Sequence, residues 1–183
     1  MNFTDSKVES SFGDIMVRTL NESDLDIHIQ QIKKWTLREI ANTVSDAEAK
    51  MIIKKNTKVT LFHKIIMFLV FKDNTLIGLF VVYSDNSISL KIREYKKPTF
   101  GLEVYFIESI EDSNIEISIK LLLGLIKSFK IRINTIYFLG KYYEKYIKHF
   151  SNNGFNILSL EYFKRKWKPH LNDTNIIIKN MQY

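Results

Sequence analysis

The chain has 183 residues, 45% of them hydrophobic and 26% charged, and its 27 Lys and Arg outweigh 20 Asp and Glu to give a net charge of +7. That composition excludes disorder over most of the length and predicts one domain able to bury roughly 70% of the surface its unfolded form exposes. The absence of cysteine excludes disulfide scaffolding, thiol catalysis and thiolate-bound zinc, and it predicts a reducing, cytoplasmic setting.

Residues 1–14 are polar and lack the basic-then-apolar order of a signal peptide. They read as a flexible N-terminal arm before a single domain at 15–183. Residues 15–20 alternate apolar and polar, as a short strand does. Asn21-Glu22-Ser23-Asp24 then offers side-chain acceptors to the free N–H groups of a helix start, and Leu25, Ile29 and Ile32 follow at helical spacing. Thr36-Leu37-Arg38-Glu39 has the form of a capping box. It predicts a second helix with an apolar stripe of Leu37, Ile40, Val44, Ala47 and Met51, and with Lys54, Lys55 and Lys58 near its negative end.

The period then changes. Residues 65–72 and 76–83 are β-rich around Asp73-Asn74-Thr75, which predicts a hairpin. Lys72 and Asp73 in the middle of this apolar stretch exclude a membrane span, since each charge at a bilayer centre costs ~2.5–3.5 kcal/mol. Residues 88–92 alternate as a half-exposed strand, and 101–107 form the next. Residues 115–129 return to helical period, with Ile115, Ile119, Leu122, Leu123, Ile126 and Phe129 on one face. Residues 134–139 read as a strand and 141–152 as a Tyr-rich helix closed by Asn153-Gly154. Residues 155–167 and 175–181 read as final strands. Hairpin strands followed by helix-linked strands predict an α/β protein with a mixed sheet and helices on both faces.

Familiar catalytic and nucleotide-binding motifs are absent. His28, His63, His149 and His170 share no spacing for a metal, so none is predicted. The surplus of positive charge allows for an anionic partner. Its densest cluster, Lys164, Arg165, Lys166 and Lys168, reads more simply as a solvated surface, and no nucleic-acid motif or single charged stripe occurs. Two regions suit chemistry. In the strand 101–107, Leu102, Val104 and Phe106 point to one face and Glu103, Tyr105 and Ile107 to the other. A carboxylate inside an apolar strand suits a general base; exposure to solvent, or a lysine partner, is the plainer reading. Tyr137, Tyr142, Tyr143 and Tyr146 could donate a proton to a leaving group, with simple packing as their plainer role.

The order of elements over 15–183 resembles the GNAT N-acetyltransferase superfamily. The residues carrying this are Phe68-Leu69-Val70-Phe71-Lys72-Asp73-Asn74-Thr75-Leu76-Ile77-Gly78, similar to its second and third strands. Tyr146-Ile147-Lys148-His149-Phe150-Ser151-Asn152-Asn153-Gly154-Phe155 is similar to its helix-then-"GF" ending, and Asp173-Thr174-Asn175-Ile176-Ile177-Ile178-Lys179-Asn180-Met181 to its last strand. The resemblance implies a mostly antiparallel sheet of six to seven strands in which a parallel pair, 101–107 and 134–139, splays apart. It implies acyl transfer from acetyl-CoA to a small-molecule or protein amine, with Glu103 as base and Tyr143 or Tyr146 as acid, the family's usual tyrosine position being Phe150 here. Backbone of Val104, Tyr105 and Phe106, with Ser113 and Asn114, would contact the cofactor. The stretch 108–116, standing where the family has a glycine-rich phosphate loop, has no glycine and four acidic residues, Glu108, Glu111, Asp112 and Glu116. The alternative reading is a catalytically inactive GNAT-like domain used for binding or assembly. A homodimer is compatible with either, and no membrane partner is expected.

Overall fold

The computed structural model describes residues 8–56, 63–85, 99–128, 135–138, 144–157 and 176–180. In chain order these form β1 (Glu9–Phe12), β2 (Ile15–Thr19), α1 (Glu22–Leu37), α2 (Asp46–Asn56), β3 (His63–Lys72), β4 (Thr75–Asp85), β5 (Thr99–Phe106), α3 (Asp112–Ser128), β6 (Thr135–Phe138), α4 (Glu144–Ser151), β7 (Phe155–Ile157) and β8 (Ile176–Asn180). The strands make one sheet in the order β1-β2-β3-β4-β5-β6-β8-β7. Every pair is antiparallel except β5 with β6.

The predicted hairpin is the centre of this sheet. Asp73 and Asn74 both adopt positive φ, 47° and 64°, the two-residue turn whose twist matches that of the strands it joins. The pairing slips once: Val70 faces Gly78 but Phe71 faces Leu76, so Ile77 is an extra residue on β4. Gly78 has a packing reason as well. A Cβ there would lie 2.4 Å from the Phe106 ring, so only a bare backbone lets that ring cross the hairpin.

Each face of the sheet is covered. Leu25, Ile29, Ile32 and Trp35 of α1, with Ala49 and Ile53 of α2, pack on Met67, Leu69, Phe71, Leu76, Leu79 and Val81. On the opposite face Ile115, Ile119, Leu122 and Ile126 of α3, with Tyr146 and Phe150 of α4, pack on Val17, Phe68, Val70, Phe80, Val104 and Phe106. Fully burying one such side chain contributes about 1.5–3 kcal/mol, so both layers are needed. The α1 start is as expected: Asn21 Oδ1 accepts from the Asp24 N–H at 3.0 Å while the Asp24 carboxylate accepts from the Asn21 N–H at 2.9 Å. Arg18 then fixes the helix to β2 by donating from both guanidinium nitrogens to Asp24, at 2.5 Å each.

Three expectations are corrected. Thr36 does not open a helix: it lies in the last turn of α1, where its hydroxyl donates back to the Ile32 carbonyl at 2.8 Å. The second helix starts ten residues later, at a reciprocal cap in which Ser45 Oγ accepts from the Glu48 N–H and the Glu48 carboxylate accepts from the Ser45 N–H. The predicted stripe consequently has the wrong phase, with Ile40 and Met51 exposed and Ala49 and Ile53 buried. The described residues form eight sheet strands, close to the expected number of about six to seven. Residues 9–12, assigned to the loose arm, pair with β2 as β1, although short polar Glu9-Ser10-Ser11 carries little strand signal. The strand expected at 88–92, the basic cluster at 164–168, and His170 lie outside the described residues.

Candidate active site

The register of the parallel pair sets the geometry. β5 pairs with β6 from Thr99 opposite Thr135 to Leu102 opposite Phe138. On its other edge β5 stays paired with β4 as far as Phe106. From Glu103 onward, therefore, β5 has no second neighbour among the described residues. The side chains alternate there as the sequence predicts. Leu102, Val104 and Phe106 are buried towards α3 and α4, whereas Glu103, Tyr105 and Ile107 are half-buried towards α1 and α2.

On that second face a polar chain ends at Glu103. Tyr105, two residues along and so on the same face, donates its hydroxyl hydrogen to Glu103 Oε2 at 2.8 Å. The Tyr105 oxygen accepts from Arg38 Nη2, also at 2.8 Å. Burial and the neighbouring Glu103 carboxylate together push the Tyr105 phenol up to about 12, despite the opposing pull of Arg38. It thus stays a protonated donor at neutral pH. The guanidinium lies 5.8 Å from the Tyr105 ring centroid, within cation–π range. Arg38 closes α1 with φ +46° and ψ −112°, a conformation that costs a side-chain-bearing residue about 1–3 kcal/mol and that gathers at functional sites. Glu103 was singled out in the sequence. Tyr105 was assigned only a backbone role, and Arg38, 67 residues away, was missed because no local pattern connects it to β5.

The remaining candidates sit on the α3 and α4 face or outside the described residues. Tyr146 is 2% exposed, and its ring lies 5.7 Å from that of Phe106, at the C-terminal end of β5. Tyr143 lies outside the described residues. Phe150 is fully buried and meets Phe155 edge-on at 6.0 Å. Ser113 is exposed in the first turn of α3. Asn114 is buried; its N–H donates to the Glu111 carbonyl at 3.1 Å, and its own carbonyl accepts from the Ser118 hydroxyl.

The start of α3 is joined to α4 by ions. Lys148 donates to Asp112 at 2.5 Å, and that hydrogen bond holds the Asp112 carboxyl below the usual carboxylate range. One residue along, His149 is 3% exposed; its Nδ1 lies 3.0 Å from Glu116 Oε2 and its Nε2 3.7 Å from Asp112 Oδ1. Asn153 donates to the other Glu116 oxygen at 3.2 Å. Among the described residues, no group of three or more His, Cys, Asp or Glu gathers to hold a metal ion, and no helix is long and apolar enough to cross a membrane.

No family model matches this sequence, and no curated protein does so either. Solved structures do match. An uncharacterized protein from Bacillus halodurans aligns with TM-score 0.61 at 13% identity over 95% of this chain and 89% of its own. An acetyltransferase of the GNAT family from Streptococcus pneumoniae aligns with TM-score 0.56 at 9% identity, over 90% and 96%. The Campylobacter jejuni N-acetyltransferase PseH, in complex with acetyl coenzyme A, aligns with TM-score 0.52 at 16% identity, over 92% and 99%. Taken with the sheet order and the single parallel pair, these matches establish that the chain has the GNAT fold.

Proposed function

We propose that this protein transfers an acyl group, in the simplest case acetyl, from a thioester to an amine, with Glu103 as the general base. The observation that carries the reading is the Arg38–Tyr105–Glu103 chain, which ends one residue beyond the last described β5–β6 pair, Leu102 with Phe138. The GNAT fold and its acetyltransferase neighbours support the reaction class.

A donor such as acetyl-CoA has two parts, and the chain suits them unequally. The backbone of Val104, Tyr105 and Phe106, on an edge of β5 with no strand beside it among the described residues, fits an extended amide-bearing pantetheine arm, which can hydrogen-bond as an added strand does. Ser113 and Asn114 would stand near the pyrophosphate, but Glu111, Asp112 and Glu116 surround them. The thioester, when bound, supplies an activated carbonyl carbon and a thiolate leaving group.

The chain's own residues then have separable tasks. Glu103 accepts a proton from the acceptor amine as nitrogen attacks. Tyr105 orients the carboxylate and, with its raised pKa, does not compete for that proton. Arg38 fixes Tyr105. Tyr146 or Tyr143 supplies a proton to the departing thiolate.

The second reading, a GNAT-fold binding module without catalysis, is favoured by Phe150, which carries no hydroxyl at the position where the resemblance calls for a tyrosine. Calorimetry with acetyl-CoA, followed by mass spectrometry of a mixed panel of small and peptide amines, tests the proposal. Binding together with a mass gain of one acetyl group on an amine is expected. Binding with no acetylated product on any amine would favour the module.

A further inference from the structure

Resting on that reading, we propose that the donor is recognised through its pantetheine thioester alone, the start of α3 being closed to the nucleotide phosphates by the chain's own ions. A helix start receives phosphate when its N–H groups are free, its Cβ atoms sparse and its surroundings positive. The last two conditions fail here. Every residue from Glu108 to Glu116 carries a Cβ. Two α4 groups among the described side chains that could meet a phosphate are already set against carboxylates, Lys148 on Asp112 and His149, through Nδ1, on Glu116. Lys120, in the first turns of α3, lies 3.9 Å from Glu116. Glu108 and Glu111 add two exposed carboxylates to the same loop. A pyrophosphate placed here would meet like charges, with the counter-charges among the described side chains already engaged. The edge of β5 at residues 103–106, which has no second strand among the described residues, in contrast needs nothing from α3. The substrate class is therefore an acyl thioester of a pantetheine arm, whether free or carried on a larger molecule.

The test is calorimetry of the full chain with acetyl-CoA and with acetyl-pantetheine, which lacks the nucleotide. The two should bind within about tenfold of each other, a difference of about 1.4 kcal/mol or less. Acetyl-CoA binding tighter than that would overturn the inference while leaving the acyltransferase reading intact. Failure of both to bind would overturn the reading and the inference with it. A Glu111→Gln, Asp112→Asn double variant, altering only exposed side chains, sharpens the result: it releases Lys148 and should strengthen acetyl-CoA binding several-fold while leaving acetyl-pantetheine unchanged. Equal effects on both ligands would count against the ions as the cause.

Discussion

The two faces of β5 are made from alternate residues of one strand and have opposite characters. Leu102, Val104 and Phe106 close against α3 and α4 as core, and Phe106 lies over the hairpin in the space left by Gly78. Glu103 and Tyr105 face α1 and α2 and take part in a polar chain reaching an exposed arginine. The difference teaches how one strand can be both scaffold and site. Apolar burial fixes the backbone on one side, and that rigidity sets the carboxylate on the other, where its charge is satisfied by hydrogen bonds instead of by solvent alone.

The polar face is nevertheless firmly built, which substitutions can test in order of size. Arg18→Met should be the most damaging to stability. It leaves Asp24, 2% exposed, as an uncompensated buried charge, at a cost of about 3–5 kcal/mol by chemical denaturation. A loss below ~1 kcal/mol would show that α1 is held by its apolar contacts alone. Burial opposes the charge on Asp24, yet hydrogen bonds from Arg18 and the Asn21 N–H outweigh it and hold the carboxyl below its ordinary value of 3.8. This stabilisation is present above that ordinary value and is lost as pH falls through the lowered one, so the gap between parent and variant should narrow in acid.

On the core face, Gly78→Ala should cost about 1–3 kcal/mol, because the new Cβ meets a buried ring and forces it from its site. Unchanged stability would mean that Phe106 can move freely, removing the scaffold half of the comparison. The smallest effect expected is that of Tyr105→Phe. It should change stability by about 1 kcal/mol, the worth of a typical hydrogen bond, while lowering turnover by freeing the carboxylate to rotate. The Tyr105 contribution to stability is fully present below the ordinary tyrosine value of 10.0 and is lost as pH rises through about 12. Ultraviolet titration should accordingly show one phenol ionising late in the parent and missing from the variant.

How much of this was legible depended on the range of the signal. The hairpin, the α1 cap and the alternation of β5 are written in neighbouring residues, and so the sequence predicts them. The start of α2 was misread because Thr36-Leu37-Arg38-Glu39 and Ser45-Asp46-Ala47-Glu48 have the same capping form. Only the packing of Ala49 and Ile53 on the sheet selects the second. β1 was missed because its strand character comes from pairing with β2 and not from its own side chains. In the candidate site, Glu103 stood out as a charge in an apolar run. Arg38 and the Asp112–Lys148 and Glu116–His149 pairs join distant elements, which no local period encodes.

The most direct measurement is the pH–rate profile of amine acetylation by the parent and by Glu103→Gln. The substitution keeps the shape and an oxygen acceptor for Tyr105 while removing the base. Turnover should fall by roughly 10²–10⁴ near neutral pH, with the deficit shrinking at high pH where the acceptor amine is already deprotonated. A Glu103→Gln enzyme as active as its parent across the whole profile would contradict the account and leave only the GNAT fold standing.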